Sequence, residues 1–171
     1  MKKNILTLMV SLMVVSGFAQ SYTTNNSKYN TGQFKTWNAR YYSIKYPANW
    51  RSLTNFDYMS DVYIGSTNGK IGFTVLFFDT ELSLSEVINM GNVDMKKAGI
   101  NVVSNKIITI NGQPCYKQVH EFWMNGNHVK HISYTFKKGQ KIFNVKFGSL
   151  YNEVNANTAL IDEIIGSFKM K

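Results

Sequence analysis

Residues 102–147 read VVSNKIITINGQPCYKQVHEFWMNGNHVKHISYTFKKGQKIFNVKF, and this stretch decides the fold. Short glycine-bearing segments at 111–112, 125–127 and 137–140 divide it into runs rich in β-branched and aromatic residues. Asn-Gly pairs and similar glycine-bearing segments favour the tight turns of antiparallel hairpins. We therefore predict four consecutive antiparallel strands: Val102–Ile110, Cys115–Met124, His128–Phe136 and Lys141–Phe147.

Shorter strands are predicted upstream, over residues 42–46, 50–53, 61–64 and 71–78. The first should stop at Pro47, because proline cannot donate to a strand ladder. Asn68-Gly69 marks a hairpin turn before the fourth. The strand over 71–78 carries apolar residues on both faces, with Phe73 and Val75 on one and Leu76 on the other. Both sides of the sheet should therefore be covered.

Two helices are predicted to cover the sheet. Ser83-Leu84-Ser85-Glu86 is a capping box, in which Ser83 and Glu86 satisfy each other's free backbone amides. Apolar residues then recur at helical spacing until Gly99, which suits a left-handed cap. A second amphipathic helix is predicted over Val154–Phe168. The order predicts an α+β fold: an antiparallel sheet of about six or seven strands packed with two helices.

The first nineteen residues have the layout of a secretory signal. Lys2 and Lys3 precede an apolar run from Ile5 to Val15, and small residues follow up to Ala19. The run is shorter than the roughly 20 residues that span a bilayer. We expect cleavage near Ala19, no lipid anchor and no transmembrane segment after cleavage. The mature chain would be periplasmic or extracellular, with a flexible polar leader at 20–36 and one domain at 37–171.

Composition is that of a packed globular protein with a basic surface. Hydrophobic residues make up 44% of the chain, which argues against disorder. The net charge is +9, or +7 once Lys2 and Lys3 are removed with the signal. This charge favours acidic neighbours, such as anionic lipid, polysaccharide or an acidic protein, and equally serves solubility. No nucleic-acid-reading motif occurs. The single cysteine, Cys115, cannot form an internal disulfide.

Three landmarks occur in a characteristic order along the chain. Tyr46-Pro47 is followed by Asn49-Trp50, Ile110-Asn111-Gly112-Gln113-Pro114 closes a strand, and Ser167-Phe168 ends the last helix. In this order the sequence resembles the PsbP-like group, named for a lumenal protein of photosystem II, over roughly Tyr41 to Lys169. The landmark positions Pro47, Trp50, Gly112 and Phe168 have structural roles: a strand end, a large anchor, a turn and helix packing.

The resemblance implies a fold more than an activity. Relatives in the group act by binding a larger partner and are not enzymes, and photosystem-associated members have manganese- and calcium-linked roles. No metal ligand of the group has a matching position in this chain. The resemblance therefore implies no catalytic residue, no metal and no cofactor.

Candidate catalytic groups are few and dispersed. His120 and His128 flank one hairpin and could face each other near Glu121, whereas His128 and His131 should point to opposite faces. Cys115 lacks a helix N-terminus that would lower its pKa, so a half-buried strand residue is the simpler interpretation. Further carboxylates lie in or beside loops, where solvated charge is the simplest role: Asp57, Asp61, Asp79 and Glu81.

Lysines cluster around the last hairpin, with Tyr134 and Phe136 among them. They form a candidate docking patch for an acidic partner: Lys117, Lys130, Lys137, Lys138, Lys141 and Lys146. The alternative is that these lysines occupy solvent-facing strand positions and turns and protect edges from aggregation.

The preferred prediction is an exported, non-catalytic binding or assembly module with an envelope or extracellular protein partner, which engages an exposed aromatic or basic face. One alternative is a carrier of a small apolar ligand, held in a pocket between sheet and helix. A second is a hydrolase or metalloenzyme that uses His120, Cys115 or a carboxylate.

Overall fold

A computed structural model describes residues 33–54 and 60–171 of the chain. The predicted signal, Asp57 and most of the predicted polar leader lie outside these residues. A strand that was not predicted begins at Phe34, upstream of the predicted domain start at residue 37, and residues 34–38 pair in register with residues 43–47. The ordered domain therefore begins within the segment predicted as leader.

The fold is α+β, with antiparallel sheets as predicted. A seven-stranded sheet has the order β3-β4-β5-β9-β8-β7-β6. Its strands are β3 (Arg51–Leu53), β4 (Val62–Gly65), β5 (Gly72–Asp79), β6 (Asn101–Ile110), β7 (Gln113–Met124), β8 (Asn127–Lys138) and β9 (Lys141–Leu150). The predicted meander forms its larger part, and every neighbouring pair is antiparallel.

The meander turns form through left-handed backbone. Asn111 and Gly112 have φ values of 52° and 75°, and Asn125 and Gly126 have 51° and 77°. Two consecutive positive φ values are the geometry of a type I′ hairpin turn, in which asparagine followed by glycine is favoured. This turn fixes the register of β6 with β7 and of β7 with β8.

A three-stranded sheet lies apart from the large one and was not predicted as a separate unit. It joins β1 (Phe34–Asn38), β2 (Tyr42–Pro47) and β10 (Lys169–Met170) in the order β1-β2-β10. The last strand comes from the extreme C-terminus, where the backbone amide of Lys171 also donates to the carbonyl of Tyr41 at 2.9 Å. The two ends of the domain therefore meet in one small sheet.

Helix α1 (Leu84–Lys97) has the predicted ends. The Ser83 hydroxyl accepts from the amide of Glu86 at 3.2 Å, and the Glu86 carboxylate accepts from the amide of Ser83 at 2.8 Å. Gly99 follows the C-terminal cap with φ 73°. Val87, Ile88 and Gly91 are buried, so the apolar side of the helix faces the interior.

The predicted helix over Val154–Phe168 is two shorter helices, α2 (Tyr151–Ala156) and α3 (Thr158–Gly166). The break falls at Asn157, whose side-chain amide donates to the carbonyl of Glu153 at 2.7 Å. An asparagine bound to the preceding turn competes with the regular helical pattern and favours a cap. Phe168 lies beyond the helix, immediately before β10.

The hydrophobic core fills one face of the large sheet, beneath α3 and the small sheet. Aromatic rings from β2, β5, β8 and β9 meet there. Trp50 is 1% exposed and packs near Phe73, with ring centroids 6.4 Å apart. Phe168 is 3% exposed and stacks on Phe136 at 4.9 Å. Pro47 is the buried last residue of β2. Trp50 and Phe168 are thus core residues, and Phe168 packs from beyond the last helix rather than from within it.

Candidate functional site

The candidate nucleophile and the candidate bases lie on opposite faces of the sheet. Cys115 and His120 are five residues apart on β7, and successive side chains of a strand alternate between faces. Cys115 is fully buried in the core, where burial raises the pKa of its thiol to about 12. The expectation of a half-buried cysteine is therefore wrong in degree, and the thiol has no histidine beside it.

The histidine pairing differs from the expected one. His120 lies opposite His131 in the β7–β8 ladder, whereas His128 lies opposite Trp123. The hairpin turn at Asn125-Gly126 sets this register, so His120 and His128 do not face each other. His128 instead approaches Glu121, with its Nε2 3.5 Å from a carboxylate oxygen.

Two of the candidate catalytic carboxylates, Asp61 and Asp79, each bind another side chain. Asp61 accepts a 2.5 Å hydrogen bond from the hydroxyl of Tyr42, and Asp79 pairs with Lys141 at 2.6 Å. Glu81 is exposed. Within residues 33–54 and 60–171, no three His, Cys, Asp or Glu side chains are grouped to hold a metal ion.

The six lysines of the predicted patch do not share one surface. Lys117, Lys130, Lys138 and Lys141 project on the core side of the large sheet, by the alternation of β7, β8 and β9. Lys137 and Lys146 project on the opposite side. Tyr134 and Phe136, each 1% exposed, belong to the core and not to a surface patch.

Most of these lysines also have local partners. Lys117 lies 3.6 Å from Asp162 and over the ring of Tyr134. Lys137 donates to the backbone carbonyl of Leu82, just before α1. Lys138 Nζ lies 3.4 Å from the carbonyl of Met170. The contacts of Lys137 and Lys138 hold the loop before α1 and the C-terminal strand, so these ammonium groups have structural partners within the domain.

A cavity of about 50 Å³ lies between α1 and the large sheet. Its floor is built from three neighbouring strands and is polar. The register places His120 beside His131, Gln118 beside Ser133, Ser133 beside Lys146, and Thr135 beside Asn144. The cavity lies between sheet and helix, where the carrier alternative places its pocket, but its volume of about 50 Å³ is below the few hundred Å³ typical of a small-molecule site.

The polar floor is fixed by packing and hydrogen bonds. Gln118 Nε2 donates to Asn92 Oδ1 of α1 at 2.8 Å, which ties the floor to the helix. A Cβ atom at Gly148 would lie 2.5 Å from Cδ2 of His131, so the imidazole lies directly against the backbone of β9. A larger residue at Gly148 would displace His131.

The walls of the cavity are apolar. They are formed by side chains from α1, β5, β9 and the loop before β6: Leu76, Phe78, Ile88, Met95, Ile100 and Ile142. Phe78, Met95 and Ile100 remain partly exposed, whereas His120 and Ser133 are buried. The cavity is therefore amphipathic, with its polar groups at depth and apolar groups nearer to solvent.

The two histidines of the floor are held neutral. Burial, and then the charge of Lys146, lowers the pKa of His120 to about 4. The same two causes, with His120 as a third, hold the pKa of His131 well below 6.5. His120 is 3% exposed, and its Nε2 atom has no hydrogen-bond partner among the described residues.

A second candidate site is the aromatic end, which we define as Trp123, His128 and Tyr151. The three rings form a stack: Trp123 on His128 at 5.0 Å and His128 on Tyr151 at 4.5 Å, with interplanar angles of 11° and 7°. Trp123 is nevertheless 72% exposed. A large ring that is held in place and open to solvent suits recognition of a partner.

Charged side chains border the aromatic end. Lys130 Nζ lies 5.0 Å from the centroid of Tyr151 and donates to Asn155 Oδ1 at 2.7 Å. Glu121 lies 3.8 Å from Lys130 and 3.5 Å from His128. Leu150, 48% exposed, directly precedes Tyr151. The arrangement is an apolar centre with a polar border, the usual anatomy of a protein interface.

A recess of about 290 Å³ lies at the other end of β7, near the chain's C-terminus. Asn111 is among its lining residues, and its side-chain amide donates to the carbonyls of Gly166 and Phe168 at 2.8 and 2.9 Å. This asparagine thus joins the first meander turn to the last residues of the fold. The side chain of Asn111 is thus already bound within the protein, so the recess is a weaker candidate for ligand binding than the cavity under α1.

Comparison with solved structures shows which known fold this chain shares. The solution structure of cyanobacterial PsbP from Synechocystis sp. PCC 6803 superposes with a TM-score of 0.68, covering 88% of this chain and 98% of that chain at 12% sequence identity. The chain has a PsbP-like fold. Comparisons with protein-family models and with curated proteins find no match.

Other solved structures share the PsbP-like fold. The Saccharomyces cerevisiae Ran-binding protein Mog1p matches with a TM-score of 0.57 at 9% identity, over 80% of this chain and 95% of that chain. LpqN of Mycobacterium tuberculosis, described as involved in cell envelope biogenesis, matches with a TM-score of 0.55 at 12% identity, over 81% of this chain and 91% of that chain. At these identities the likeness concerns the fold alone.

Sequence reasoning missed the exposed Trp123 and the polar floor of the cavity. Trp123 falls within a predicted strand, and its position beside the Asn125-Gly126 turn predicts exposure at a sheet end. The floor of the cavity has a visible signal too. In His131-Ile132-Ser133-Tyr134-Thr135, polar residues alternate with large apolar ones, which predicts one polar and one apolar face.

Proposed function

We propose that this chain is the precursor of an exported, non-catalytic binding module whose protein partner docks on the aromatic end. The observation that carries the proposal is Trp123, a ring 72% exposed yet held by stacking on His128. A tryptophan that is already held in place loses little conformational entropy on binding. The free energy gained by burying its ring is therefore offset less by the cost of ordering it. Tryptophan is also among the residues most enriched at binding hot spots.

The rest of the chain supports binding over catalysis. The thiol, the paired histidines and the carboxylates lie in separate places among the described residues, so no nucleophile, base and acid act together. PsbP-like and Mog1-like structures are compatible with a binding role, and Mog1p is described as Ran-binding. The N-terminal sequence and the likeness to LpqN support a site of action outside the cytoplasm.

The partner should present an apolar pocket bordered by acidic groups. The chain's net charge is +9, and Lys130 borders the aromatic end. Acidic groups on the partner would raise the association rate, while burial of Trp123 would supply affinity. None of the helices in the described part of the chain has the length and apolar content needed to cross a bilayer.

Photocrosslinking tests this proposal. A photoreactive phenylalanine derivative replaces Trp123 in the expressed protein, and the control carries it at Ile107, which is 63% exposed on strand β6. We expect one discrete protein adduct from position 123 that excess unmodified protein suppresses, and none of that adduct from position 107. The captured protein is then purified and its affinity measured.

Alanine variants give the quantitative arm of the experiment. Trp123→Ala should weaken binding of the captured partner by about 2 kcal/mol or more, as expected for a hot spot, and Ile107→Ala should not. The proposal is contradicted if both positions give the same adducts. It is equally contradicted if Trp123→Ala leaves affinity unchanged, or if the aromatic end binds soluble glycans instead of a protein.

A further inference from the structure

The outer edge of β6 is a free strand edge. β6 is the last strand of the large sheet, and among the strands that the structure describes it pairs only with β7. Residues 104–110 pair with residues 113–119 without interruption, and a register shift between Val102 and Ser104 ends this regular part. A long regular edge of this kind is a template on which a further strand can pair.

The backbone groups that face outward from this edge follow from the geometry of the first meander turn. The residues that flank a two-residue hairpin turn, here Ile110 and Gln113, form a hydrogen-bonded pair, and such pairs alternate with non-bonded pairs along an antiparallel ladder. Residues in the non-bonded pairs direct their N–H and C=O groups away from β7. They are Asn105, Ile107 and Thr109, and these backbone groups have no hydrogen-bond partner among the described residues.

Ile107 gives the edge an apolar position on the face that carries α1. It is 63% exposed and lies opposite Tyr116, which is itself partly exposed. A β-branched or aromatic side chain on an added strand would lie beside Ile107 and extend this row across the sheet. The contact would remove apolar surface from water and so favour pairing.

The other face of the same edge is cationic. Lys106 lies directly opposite Lys117 in the β6–β7 ladder, and like charges in opposed positions are unfavourable. Lys117 lies 3.6 Å from Asp162, whereas Lys106 is exposed and has no ion-pair partner among the described residues. A carboxylate on the outer side of Lys106 would therefore be favourable at this position.

Charge decides between a second copy of the chain and a different partner. The net charge is +9, and Lys106 is the only charged residue of β6. Pairing two β6 edges about a two-fold axis would offer no carboxylate from β6 to Lys106 and would bring two cationic chains together. An extended acidic segment offers both a backbone ladder and the opposite charge.

We propose that the outer edge of β6 binds an extended segment of a partner protein in which acidic and apolar residues alternate. The segment adds as a further strand of the large sheet. Successive side chains of a strand point to opposite faces, so a carboxylate lies beside Lys106 and its apolar neighbour beside Ile107.

This edge is distinct from the aromatic end. Tyr116, opposite Ile107, lies seven residues along β7 from Trp123, which is about 23 Å in an extended strand. A partner held at β6 should therefore give a photoadduct at position 107 that differs from the adduct at position 123. Either proposal can fail while the other holds.

A synthetic peptide tests the proposal. It is about nine residues long, has blocked ends and alternates glutamate with valine. The peptide is titrated into the purified protein at neutral pH and constant ionic strength. We expect saturable binding with a dissociation constant on the order of a millimolar or below. A peptide of the same composition, with its glutamates and valines in two separate blocks, should bind much more weakly.

Amide hydrogen exchange locates the bound peptide. The N–H groups of Asn105, Ile107 and Thr109 point to solvent in the free protein and should exchange about tenfold more slowly, or slower still, when the peptide is at saturation. The N–H groups of Lys106 and Ile108 already bind β7, so their exchange should change less.

Charge-reversal variants test the role of Lys106. Lys106→Glu should weaken binding of the glutamate–valine peptide by about tenfold or more, and it should improve binding of a lysine–valine peptide. Lys45→Glu makes the same change in net charge at an exposed position of the small sheet and should bind as the parent protein does. Trp123→Ala should also bind normally. The amide spectrum of each variant reports whether it is folded.

The assignment is wrong if the response to the peptide does not saturate, if the block peptide binds equally well, or if Lys45→Glu loses as much affinity as Lys106→Glu. Slower exchange elsewhere, with the amides of Asn105, Ile107 and Thr109 unchanged, would place the peptide on another surface and contradict it. A dimeric free protein in which these three amides are already protected would show that a second copy occupies the edge.

Discussion

At the scale of single residues, the most unusual feature is a pair of buried neutral histidines on one side of a β-sheet. Their pKa values are lowered chiefly by burial, because an imidazolium ion loses its hydration there. Lys146 adds to the effect. In the unfolded chain the same side chains titrate near 6.5. The folded and unfolded states therefore bind different numbers of protons in mildly acidic solution.

This difference predicts a loss of stability on acidification. Below pH 6.5 the unfolded chain binds protons at His120 and His131 that the folded chain does not bind, and for His120 this window extends down to about pH 4. The free energy of unfolding should therefore be highest above pH 6.5 and fall as the pH is lowered, by up to about 1.4 kcal/mol per pH unit for each histidine. Urea unfolding at a series of pH values measures this dependence of the free energy of unfolding on pH.

Histidine variants separate this effect from the titration of carboxylates. His120→Gln should reduce the slope of stability against pH in this window, because glutamine does not titrate. Asn105→Gln, which removes no titratable group from an exposed position of β6, should leave the slope close to that of the parent protein. Identical slopes for the parent and His120→Gln would show that His120 is not the source.

At the scale of elements, the two Asn-Gly turns of the meander have the same backbone conformation but different contacts. Both asparagines have φ near 50°. Asn111 also binds the carbonyls of Gly166 and Phe168, and so holds the chain end against the first turn. Asn125 lies at the opposite end of β7, beside the aromatic end.

This contrast gives a matched pair of variants. Glycine accepts the left-handed conformation at either position, so Asn111→Gly and Asn125→Gly share the same change in backbone freedom. Asn111→Gly also loses two hydrogen bonds, each worth about 0.5–1.5 kcal/mol. We expect it to be less stable than Asn125→Gly by about 1–2 kcal/mol in urea unfolding. Equal stabilities would contradict the role given to Asn111.

The elements that were predictable are those fixed by local chemistry. The capping box at Ser83 and Glu86, the left-handed Gly99 and the Asn-Gly turns depend on neighbouring residues alone. The short sheet could not be predicted, since β10 is two residues long and pairs with a strand more than a hundred residues away. The break at Asn157 depends on a side-chain hydrogen bond that the apolar periodicity does not show.

The candidate sites were harder to predict because they depend on register. Lys137 and Lys138 are adjacent in sequence, so they had to project to opposite faces of β8, and one patch could not contain both. The pairing of His120 with His131 follows from the position of the turn between β7 and β8. Counting back from that turn places Trp123 opposite His128 and would have revealed the aromatic end.

At the scale of the whole molecule, export remains a prediction from the first nineteen residues. If the signal is cleaved after Ala19, the mature protein should begin at Gln20 and lack Lys2 and Lys3. Intact-mass analysis of the protein recovered outside the cytoplasm checks this directly. A variant with Ala19 changed to a bulky residue should accumulate as precursor. Recovery of the full chain only from the cytoplasm would contradict the prediction.

The position of β10 also determines when folding can finish during synthesis. Phe168, Lys169 and Met170 complete the core and the small sheet, and they follow every helix and every other strand of the domain in the sequence. While those residues are still inside the ribosome, β2 has no partner on one edge and the core lacks one of its central rings. The domain therefore cannot complete its native arrangement before β10 has left the ribosome. A polypeptide that closes so late stays available for threading through a translocation channel.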